Sequence, residues 1–276
     1  MEKNLKNSWE ADLALARNIA EQAGELIKSR WGSELKVEHK GIVDLVSEVD
    51  LAAEALILKL LHEARSEDAI LAEEDTGEDL EKKESLLCRD SGRVWCIDPL
   101  DGTTNFSHGL PHFCVSIALL NDGEPQVGVI HDPIRFWTFY ASKGHGAWLN
   151  GKRLQVNEPR TLEKALIATG FPYDRHTSDH DNLNQTKVIL KRCQGLRRAG
   201  SAALDLAYVA AGWLDAYWEY KLKPWDIAAG TLILQEAGGI ISDINGSNDW
   251  LNNGSLVSAS HLDLQQELLT LLEDVS

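Results

Sequence analysis

Apolar side chains recur every three to four residues in two stretches near the N-terminus. In residues 8–30 the repeating positions are Leu13, Ala16, Ala20, Ala23 and Ile27. This spacing predicts an amphipathic helix, which Gly32 ends. The segment Ser47-Glu48-Val49-Asp50 resembles a capping box and predicts the start of a second helix. The apolar face of that helix carries Ala53, Leu56, Leu60 and Leu61.

Short apolar runs between turn residues predict a sheet in the first half of the chain. The predicted strands are residues 35–40, 69–72, 94–97, 113–120, 127–130 and 136–141. Asn121-Asp122-Gly123 and Asn150-Gly151 are typical of hairpin turns, which join antiparallel strands. We therefore expect an antiparallel sheet flanked by the two helices. The acid-rich residues 75–92 are expected to form an exposed polar loop.

Helices and strands alternate in the second half. Strands are predicted at residues 165–169, 215–220, 240–242 and 256–259, and helices at 181–192, 200–209, 227–236 and 261–272. This alternation is typical of an α/β layer. We predict an α/β protein with an α+β N-terminal half and an α/β C-terminal half, layered as an αβαβα sandwich. We expect two subdomains, residues 1–155 and 156–276, packed as one compact unit.

The composition narrows the possible partners. The 276 residues include 43 acidic and 27 basic side chains, for a net charge of −16. Such a surface repels nucleic-acid phosphates, and it repels an anionic substrate unless bound cations reverse the field locally. No run approaches the ~20 apolar residues of a membrane span, and the N-terminus has no apolar signal-peptide core. We expect a soluble cytoplasmic protein with neither a membrane nor a nucleic acid as partner.

The four cysteines predict free thiols. Cys88, Cys96, Cys114 and Cys193 form no CxxC pair, and no histidine lies near them at zinc-finger spacing. This usage favours a reducing compartment without disulfides.

Asp98 and Asp101 follow an apolar strand in a turn-forming stretch. Pro99 cannot donate a ladder hydrogen bond, so the strand is predicted to end at Asp98. The two carboxylates and the freed carbonyl of Leu100 are oxygen ligands of the kind that magnesium takes. The backbone N–H groups of Gly102 and Thr103 would lie at the N-terminus of a short helix, and a helix N-terminus attracts an anion. The same residue types are also ordinary in a surface turn.

Other acidic residues could converge on this stretch. Asp50 falls in the first turn of the second predicted helix, Glu73 and Glu74 follow the strand 69–72, and Asp226 begins a later helix. Each has a plain structural interpretation as well, because Asp50 and Asp226 suit helix caps and Glu73-Glu74 suits a solvated turn. If these carboxylates meet in one pocket, cations are needed to hold them together.

The stretch Asp98-Pro99-Leu100-Asp101-Gly102-Thr103-Thr104-Asn105-Phe106 resembles the metal-binding signature of the inositol monophosphatase family. The resemblance extends from about Leu13 to about Leu264. Residues 44–50 (DLVSEVD) and 225–230 (WDIAAG) resemble two further motifs of that family. Glu73 and Glu74 resemble the acids of its GEE motif, with Ala72 in place of the glycine.

The resemblance implies a role for each matching residue. The implied metal ligands are Glu73, Asp98, the carbonyl of Leu100, Asp101 and Asp226. The implied catalytic residues are Glu73, Glu74, Thr103 and Asp50, with Thr103 hydrogen-bonded to Asp50 to orient the attacking water. The implied substrate-binding residues are Asp101, Gly102, Thr103, Thr104, Gly200, Ser201, Ala202, Glu219 and Asp226. About two or three Mg²⁺ ions, with Mn²⁺ as an alternative, would support direct in-line attack by water.

The same resemblance implies an activity. Glu219 lies seven residues before Asp226, as in the inositol-hydrolysing branch of the family, although a strand-end surface acid would look the same. Thr104 resembles that branch too, because the nucleotide-phosphate branch typically has lysine there. The implied reaction is magnesium-dependent hydrolysis of phosphate monoesters, foremost myo-inositol monophosphate. Lithium sensitivity and homodimerisation are implied in the same way.

Three alternatives stay open. The scaffold could serve a histidinol-phosphate or fructose-1,6-bisphosphate phosphatase. It could serve a non-enzymatic regulatory protein that binds RNA or polymerase, or a calcium-binding structural module. Lys40 lies near the position of a family lysine, but its role is open. Arg197 and Arg198 could steer phosphate or face a partner subunit, and His108 and His112 are expected to be structural.

Overall fold

The computed structural model describes residues 8–33, 37–39, 45–77, 79–88 and 90–273. The predicted strand over 35–40 falls partly outside these ranges, and so do Lys40 and Asp44. No helix in the described ranges is long and apolar enough to cross a membrane. All four cysteines are free thiols, as the sequence predicts.

A seven-stranded sheet forms from the first half of the chain. Its strands lie side by side in chain order. They are β3 (Ala69–Ala72), β4 (Arg93–Asp101), β5 (Cys114–Asn121), β6 (Glu124–Asp132), β7 (Trp137–Ser142), β8 (Ala147–Leu149) and β9 (Lys152–Arg153), preceded by a separate pair, β1 (Val37–His39) and β2 (Leu45–Ser47). The predicted turns at Asp122-Gly123 and Asn150-Gly151 are present, with positive φ at all four residues.

A five-stranded sheet forms from the second half. Its strand order is β11-β10-β12-β14-β13. The strands are β10 (Leu166–Thr169), β11 (Gly195–Arg197), β12 (Ala216–Glu219), β13 (Ile240–Ser242) and β14 (Leu256–Ala259). β10 pairs in parallel with β11 and β12, whereas β14 pairs antiparallel with β12 and β13.

The helices separate and cover these two sheets. In chain order they are α1 (Ser8–Arg30), α2 (Glu48–Ala64), α3 (Glu73–Thr76), α4 (Leu80–Leu87), α5 (Thr103–Ser107), α6 (Leu183–Leu190), α7 (Ala202–Ala210), α8 (Pro224–Glu236), α9 (Trp250–Asn253) and α10 (Leu262–Glu273), with a 3₁₀ turn at Leu162–Lys164. α1 and α2 pack on the outer face of the seven-stranded sheet, α7 and α8 lie between the sheets, and α6 and α10 cover the outer face of the second sheet. The predicted αβαβα layering is confirmed, and the division at residue 155 stays a prediction.

The alternation of side chains along the central strands explains this layering. On β4, Val94 and Cys96 pack toward the middle helices, whereas Trp95 and Ile97 pack toward α1 and α2. Successive strand residues point to opposite faces, so a strand that is apolar at every position needs a helical layer on each side.

Several predicted boundaries are wrong. Residues 75–92 contain α4, and β3 pairs with β4 in parallel rather than antiparallel. β4 continues beyond Asp98 to Asp101 because a shift in register accommodates the proline. On α2, Ala53 and Leu61 are buried as predicted, but Leu56 and Leu60 are partly exposed and Ile57 is buried. β11 was not predicted, since it is a short strand at the edge of its sheet.

At Gly128, on β6, the backbone of α8 packs close against the seven-stranded sheet. A Cβ atom at Gly128 would lie 2.7 Å from the carbonyl oxygen of Ala229. Gly128→Ala should therefore lower the free energy of unfolding by about 1–3 kcal/mol, because backbone must move to make room. Urea unfolding measures this effect. Gly195→Ala is the control, because its nearest contact is the end of the Leu166 side chain at 3.2 Å. Equal stability of the two variants would contradict the close packing.

Candidate active site

A bulge in β4 brings Asp98 and Asp101 to the same end of the strand. Asp98 pairs with Ser116 and Asp101 with Cys114, so three steps along β4 match two along β5. The carboxylate of Asp98 accepts a hydrogen bond from the Leu100 amide at 2.9 Å. Asp98 is buried, with 2% of its surface exposed. The bulge thus inserts the proline without ending the strand.

Asp50 joins the start of α2 to this bulge. Its carboxylate accepts hydrogen bonds from the amide and hydroxyl of Ser47, which completes the predicted capping box. It also accepts a hydrogen bond from the hydroxyl of Thr103 at 2.8 Å. The Thr103 hydroxyl lies 3.0 Å from the carbonyl oxygen of Leu100 as well. Burial raises the pKa of Asp50. Asp50 is therefore both a helix cap and the partner of Thr103.

Glu73 and Glu74 begin the short helix α3 directly after β3. The Glu74 amide donates a 2.8 Å hydrogen bond to the carboxylate of Glu54 on α2. Glu54 is buried, and burial raises its pKa. The sequence analysis did not single out Glu54, although it lies four residues after Asp50, on the same face of α2.

Asp101 connects the two halves of the chain. Its Oδ2 atom accepts hydrogen bonds from the Ser201 hydroxyl at 2.6 Å and from the Ala203 amide at 2.8 Å. Ser201 is the N-cap of α7 and accepts a hydrogen bond from the Leu204 amide. Burial raises the pKa of Asp101 to about 6, although these hydrogen bonds oppose the shift. The N-terminus of α7 is thereby fixed beside the bulge.

Asp226 lies in the first turn of α8. Its Oδ2 atom accepts a 2.7 Å hydrogen bond from the amide of Lys223, as a helix-capping residue does. Burial raises the pKa of Asp226 to about 8, and the charge of Asp101 adds to the rise. The capping interpretation and the proximity to the acidic cluster therefore both hold for this residue.

The electrostatics of Asp98 tie the separate segments together. Burial raises its pKa well above the usual range, and the charges of Glu73, Asp101 and Asp226 raise it further, in that order. These acids come from β4, α3 and α8. Like charges this close in a buried place destabilise one another unless a cation offsets them.

The donor set fits a hard dication. In the described part of the chain, hydrogen bonds occupy one oxygen of Asp98 and one of Asp226, and the second oxygen of each accepts none. All the atoms that could bind the metal are oxygens, and oxygen ligands favour magnesium over zinc. Within the described ranges, no three carboxylates, imidazoles or thiols are already close enough to hold an ion as they stand.

A cavity opens beside the acidic cluster. It is lined by six of the residues that are predicted to bind substrate, namely Asp101, Gly200, Ser201, Ala202, Glu219 and Asp226. Their role in binding stays a prediction. Glu219 accepts a 2.6 Å hydrogen bond from the hydroxyl of Tyr217, and burial raises the pKa of Glu219 to about 7. Gly102 and Thr103 stand beside the bulge, outside this lining, and Thr104 is exposed.

The sequence analysis did not predict the structural role of Asn105. Its side-chain amide donates to the carbonyl oxygens of His112 at 2.8 Å and Ala199 at 2.9 Å, which ties α5 to the segment before α7. The signal was its place inside the motif, but its partners lie 7 and 94 residues away. His112 itself is partly buried, and this burial lowers its pKa to about 4.

Comparisons with known proteins agree on one family. A family model described as "Inositol monophosphatase family" matches residues 8–276. The protein called Nus factor SuhB from Pseudomonas aeruginosa is 45% identical over 256 residues, which cover 90% of this chain and 91% of that protein. The Inositol-1-monophosphatase of Synechocystis sp. is 42% identical over 260 residues, covering 93% of this chain and 88% of that protein.

Solved structures give the same result. The extragenic suppressor protein SuhB from Bartonella henselae matches with a TM-score of 0.86 and 38% identity, covering 95% of this chain and 98% of that one. The inositol monophosphatase from Anabaena matches with a TM-score of 0.83 and 35% identity, covering 97% and 96%.

Proposed function

Because this chain belongs to the inositol monophosphatase family, we propose that it is a magnesium-dependent phosphatase that hydrolyses myo-inositol monophosphate. The observation that carries the proposal is the convergence of Glu73, Asp101 and Asp226 on the buried Asp98. Such a cluster is costly to fold unless it binds cations, and cations are what an anionic ester needs in this acidic protein. Membership of the family supports a phosphatase, and its members generally use Mg²⁺.

The residues that would hold magnesium are Glu73, Asp98, the carbonyl of Leu100, Asp101 and Asp226. Bound magnesium offsets the phosphate charge and lowers the pKa of a coordinated water. The chain's own contribution is to hold these oxygens ready. Asp98 and Asp226 each keep one oxygen on a backbone amide, which fixes the carboxylate while the other oxygen stays available.

Thr103 would orient the attacking water. A threonine hydroxyl has one proton to donate, and the carboxylate of Asp50 at 2.8 Å is a stronger acceptor than the Leu100 carbonyl. The lone pairs of the Thr103 hydroxyl oxygen are then free to accept a hydrogen bond from water. Glu74, or Glu73, would take the proton that this water loses. The hydrogen bond from the Glu74 amide to Glu54 holds that segment in place.

The cavity beside the cluster would take the alcohol part of the ester. The Glu219 carboxylate can only accept hydrogen bonds when ionised, so it suits a hydroxyl of the substrate. Ser201 and Ala202 line the same cavity as Glu219 and Asp101. This arrangement supports a small polyhydroxylated alcohol as the leaving group, which fits inositol and also a sugar.

A second candidate function comes from the names of several relatives. Proteins called Nus factor SuhB are 40–45% identical to this chain, and the Inositol-1-monophosphatase of Synechocystis is 42% identical. Because the identities are similar, a regulatory, non-catalytic role is the alternative function. The expectation that nucleic acid is not a partner stays a prediction. Loss of hydrolysis without loss of a cellular phenotype in Asp98→Asn would favour the regulatory role.

A phosphate-release panel tests the proposed activity. The esters are inositol monophosphate, histidinol phosphate, fructose 1,6-bisphosphate and a nucleoside monophosphate, each with magnesium and with a chelator. We expect release from inositol monophosphate that exceeds the other esters and stops when the metal is removed. Release that persists in the chelator would overturn the magnesium requirement. A faster rate on histidinol phosphate or the bisphosphate would reassign the substrate, and no release from any ester would overturn the phosphatase.

A further inference from the structure

A fourth carboxylate, that of Asp205, lines the cavity that Asp101, Glu219 and Asp226 share. Asp205 lies in the first turn of α7, and its side chain reaches the same cavity as Glu219 and Asp101. It also borders the neighbouring groove formed by Tyr208 and Trp213. Neither the family motifs nor the sequence analysis gave Asp205 a role.

Asp205 is buried without a partner. Only 3% of its surface is exposed, and its carboxylate makes no hydrogen bond or ion pair with the described residues. Burial raises its pKa well above the usual range, the charges of Glu219 and Asp101 raise it further, and Arg198 opposes them. A buried carboxylate without hydrogen bonds is unfavourable for folding, so its place beside a cavity needs an explanation.

The local fold does not supply that explanation. Ser201, not Asp205, caps α7, through the Leu204 amide. An acid in the first turn gains something from the helix dipole, but an exposed acid would gain as much without the cost of burial. By contrast, the buried Asp215 is fully engaged, with hydrogen bonds from Asn157 at 2.9 Å and from the Leu166 amide at 2.8 Å.

We propose that Asp205 is a second hydroxyl-binding carboxylate of this cavity, and that with Glu219 it selects esters whose alcohol carries several hydroxyl groups. The inference rests on the proposed function and deepens it. Carboxyl oxygens accept hydrogen bonds, and the hydroxyl groups of a substrate are donors that match the oxygens of Asp205 and Glu219. Arg198 lines the same cavity and carries the charge that balances them in part.

Kinetics of Asp205→Asn and Asp205→Ala on two esters test the proposal. One ester is inositol monophosphate, and the other is 4-nitrophenyl phosphate, whose alcohol has no further hydroxyl. We expect KM for inositol monophosphate to rise roughly tenfold or more, with kcat nearly unchanged, because a hydrogen bond to a charged group is lost. Kinetics on the nitrophenyl ester should change less than about twofold, since no such bond exists there.

Thermal melting separates this role from a structural one. The Tm of Asp205→Asn should be no lower than that of the wild type, because the variant loses no hydrogen bond and removes a buried charge. Asp215→Asn is the matched control, and we expect it to melt at a lower temperature with an unchanged preference between the two esters.

Three other outcomes would contradict the proposed role of Asp205 or the proposed function. Equal losses on both esters together with a lower Tm would make Asp205 structural. Wild-type kinetics of Asp205→Asn and Asp205→Ala on both esters would remove Asp205 from the cavity's function and leave the phosphatase standing. A wild-type protein that hydrolyses neither ester would overturn the proposed function, and this inference with it.

Discussion

Asp98→Asn should lower magnesium-dependent phosphate release by about 1,000-fold or more, which is on the order of 4 kcal/mol of transition-state stabilisation. The charges of Glu73, Asp101 and Asp226 all raise the pKa of the buried Asp98. We therefore expect Asp98 to be a ligand of more than one ion. Asparagine can still accept the hydrogen bond that the Leu100 amide makes with the Asp98 side chain. The bulge should therefore survive while the charge is lost. Initial rates with inositol monophosphate measure the effect.

Stability in the absence of metal gives this prediction its control. Removing one charge from a cluster of like charges should leave the Tm of metal-free Asp98→Asn equal to or above that of the wild type. Asp243→Asn is the comparison, because Asp243 is buried but receives hydrogen bonds from Ser247 and Asn253. It should lower Tm and leave hydrolysis intact. Retention of more than about a tenth of the rate in Asp98→Asn would contradict the shared-ion arrangement.

Gly170→Ala should weaken binding of inositol monophosphate without much loss of stability. A Cβ atom at Gly170 would lie 2.0–2.2 Å from the three atoms of the Glu219 carboxyl group. The end of a glutamate side chain can rotate away, so the fold adapts, but Glu219 then leaves the hydroxyl of Tyr217 and its place at the cavity. We expect KM for inositol monophosphate to rise roughly tenfold or more.

A double-mutant cycle makes this prediction specific. If Gly170 acts through Glu219, then Gly170→Ala should add little to the KM of a Glu219→Ala variant, because the displaced group is already absent. Urea unfolding of the single variant should show a change of less than about 1 kcal/mol in the free energy of unfolding. Additive effects on KM, or a large loss of stability, would show that Gly170 matters for a reason other than the space it leaves for Glu219.

Hydrophobic periodicity was sufficient for most of the elements. The stripe in α1 and the apolar runs of β4 and β5 determine which face each element buries, and α1, β13 and β14 were predicted at their observed bounds to within a residue or two. α4 was missed because half of the residues in its sequence, LEKKESLL, are charged and the segment was interpreted as a loop. The end of β4 was misplaced because a proline can lie in a bulge as well as end a strand.

The site, too, could be predicted from the sequence only in part. The motif around Asp98 identified the acids, but their partners could not be predicted from local sequence. Asp101 meets Ser201 across 100 residues of chain, and α7 must dock before that hydrogen bond exists. Tyr217 could have been found, because it lies two residues before Glu219 on one strand and therefore on the same face. Asp205 could not, since only the packed structure shows that its carboxylate is buried without a partner.

Anomalous scattering from a crystal soaked in Mn²⁺ would test most directly whether acids from β4 and α8 share divalent ions. We expect at least one strong peak within about 2.5 Å of carboxylate oxygens of both Asp98 and Asp226, with Asp101 beside it. A map in which these two side chains lie more than about 10 Å apart, with no peak joining them, would contradict the metal-dependent site.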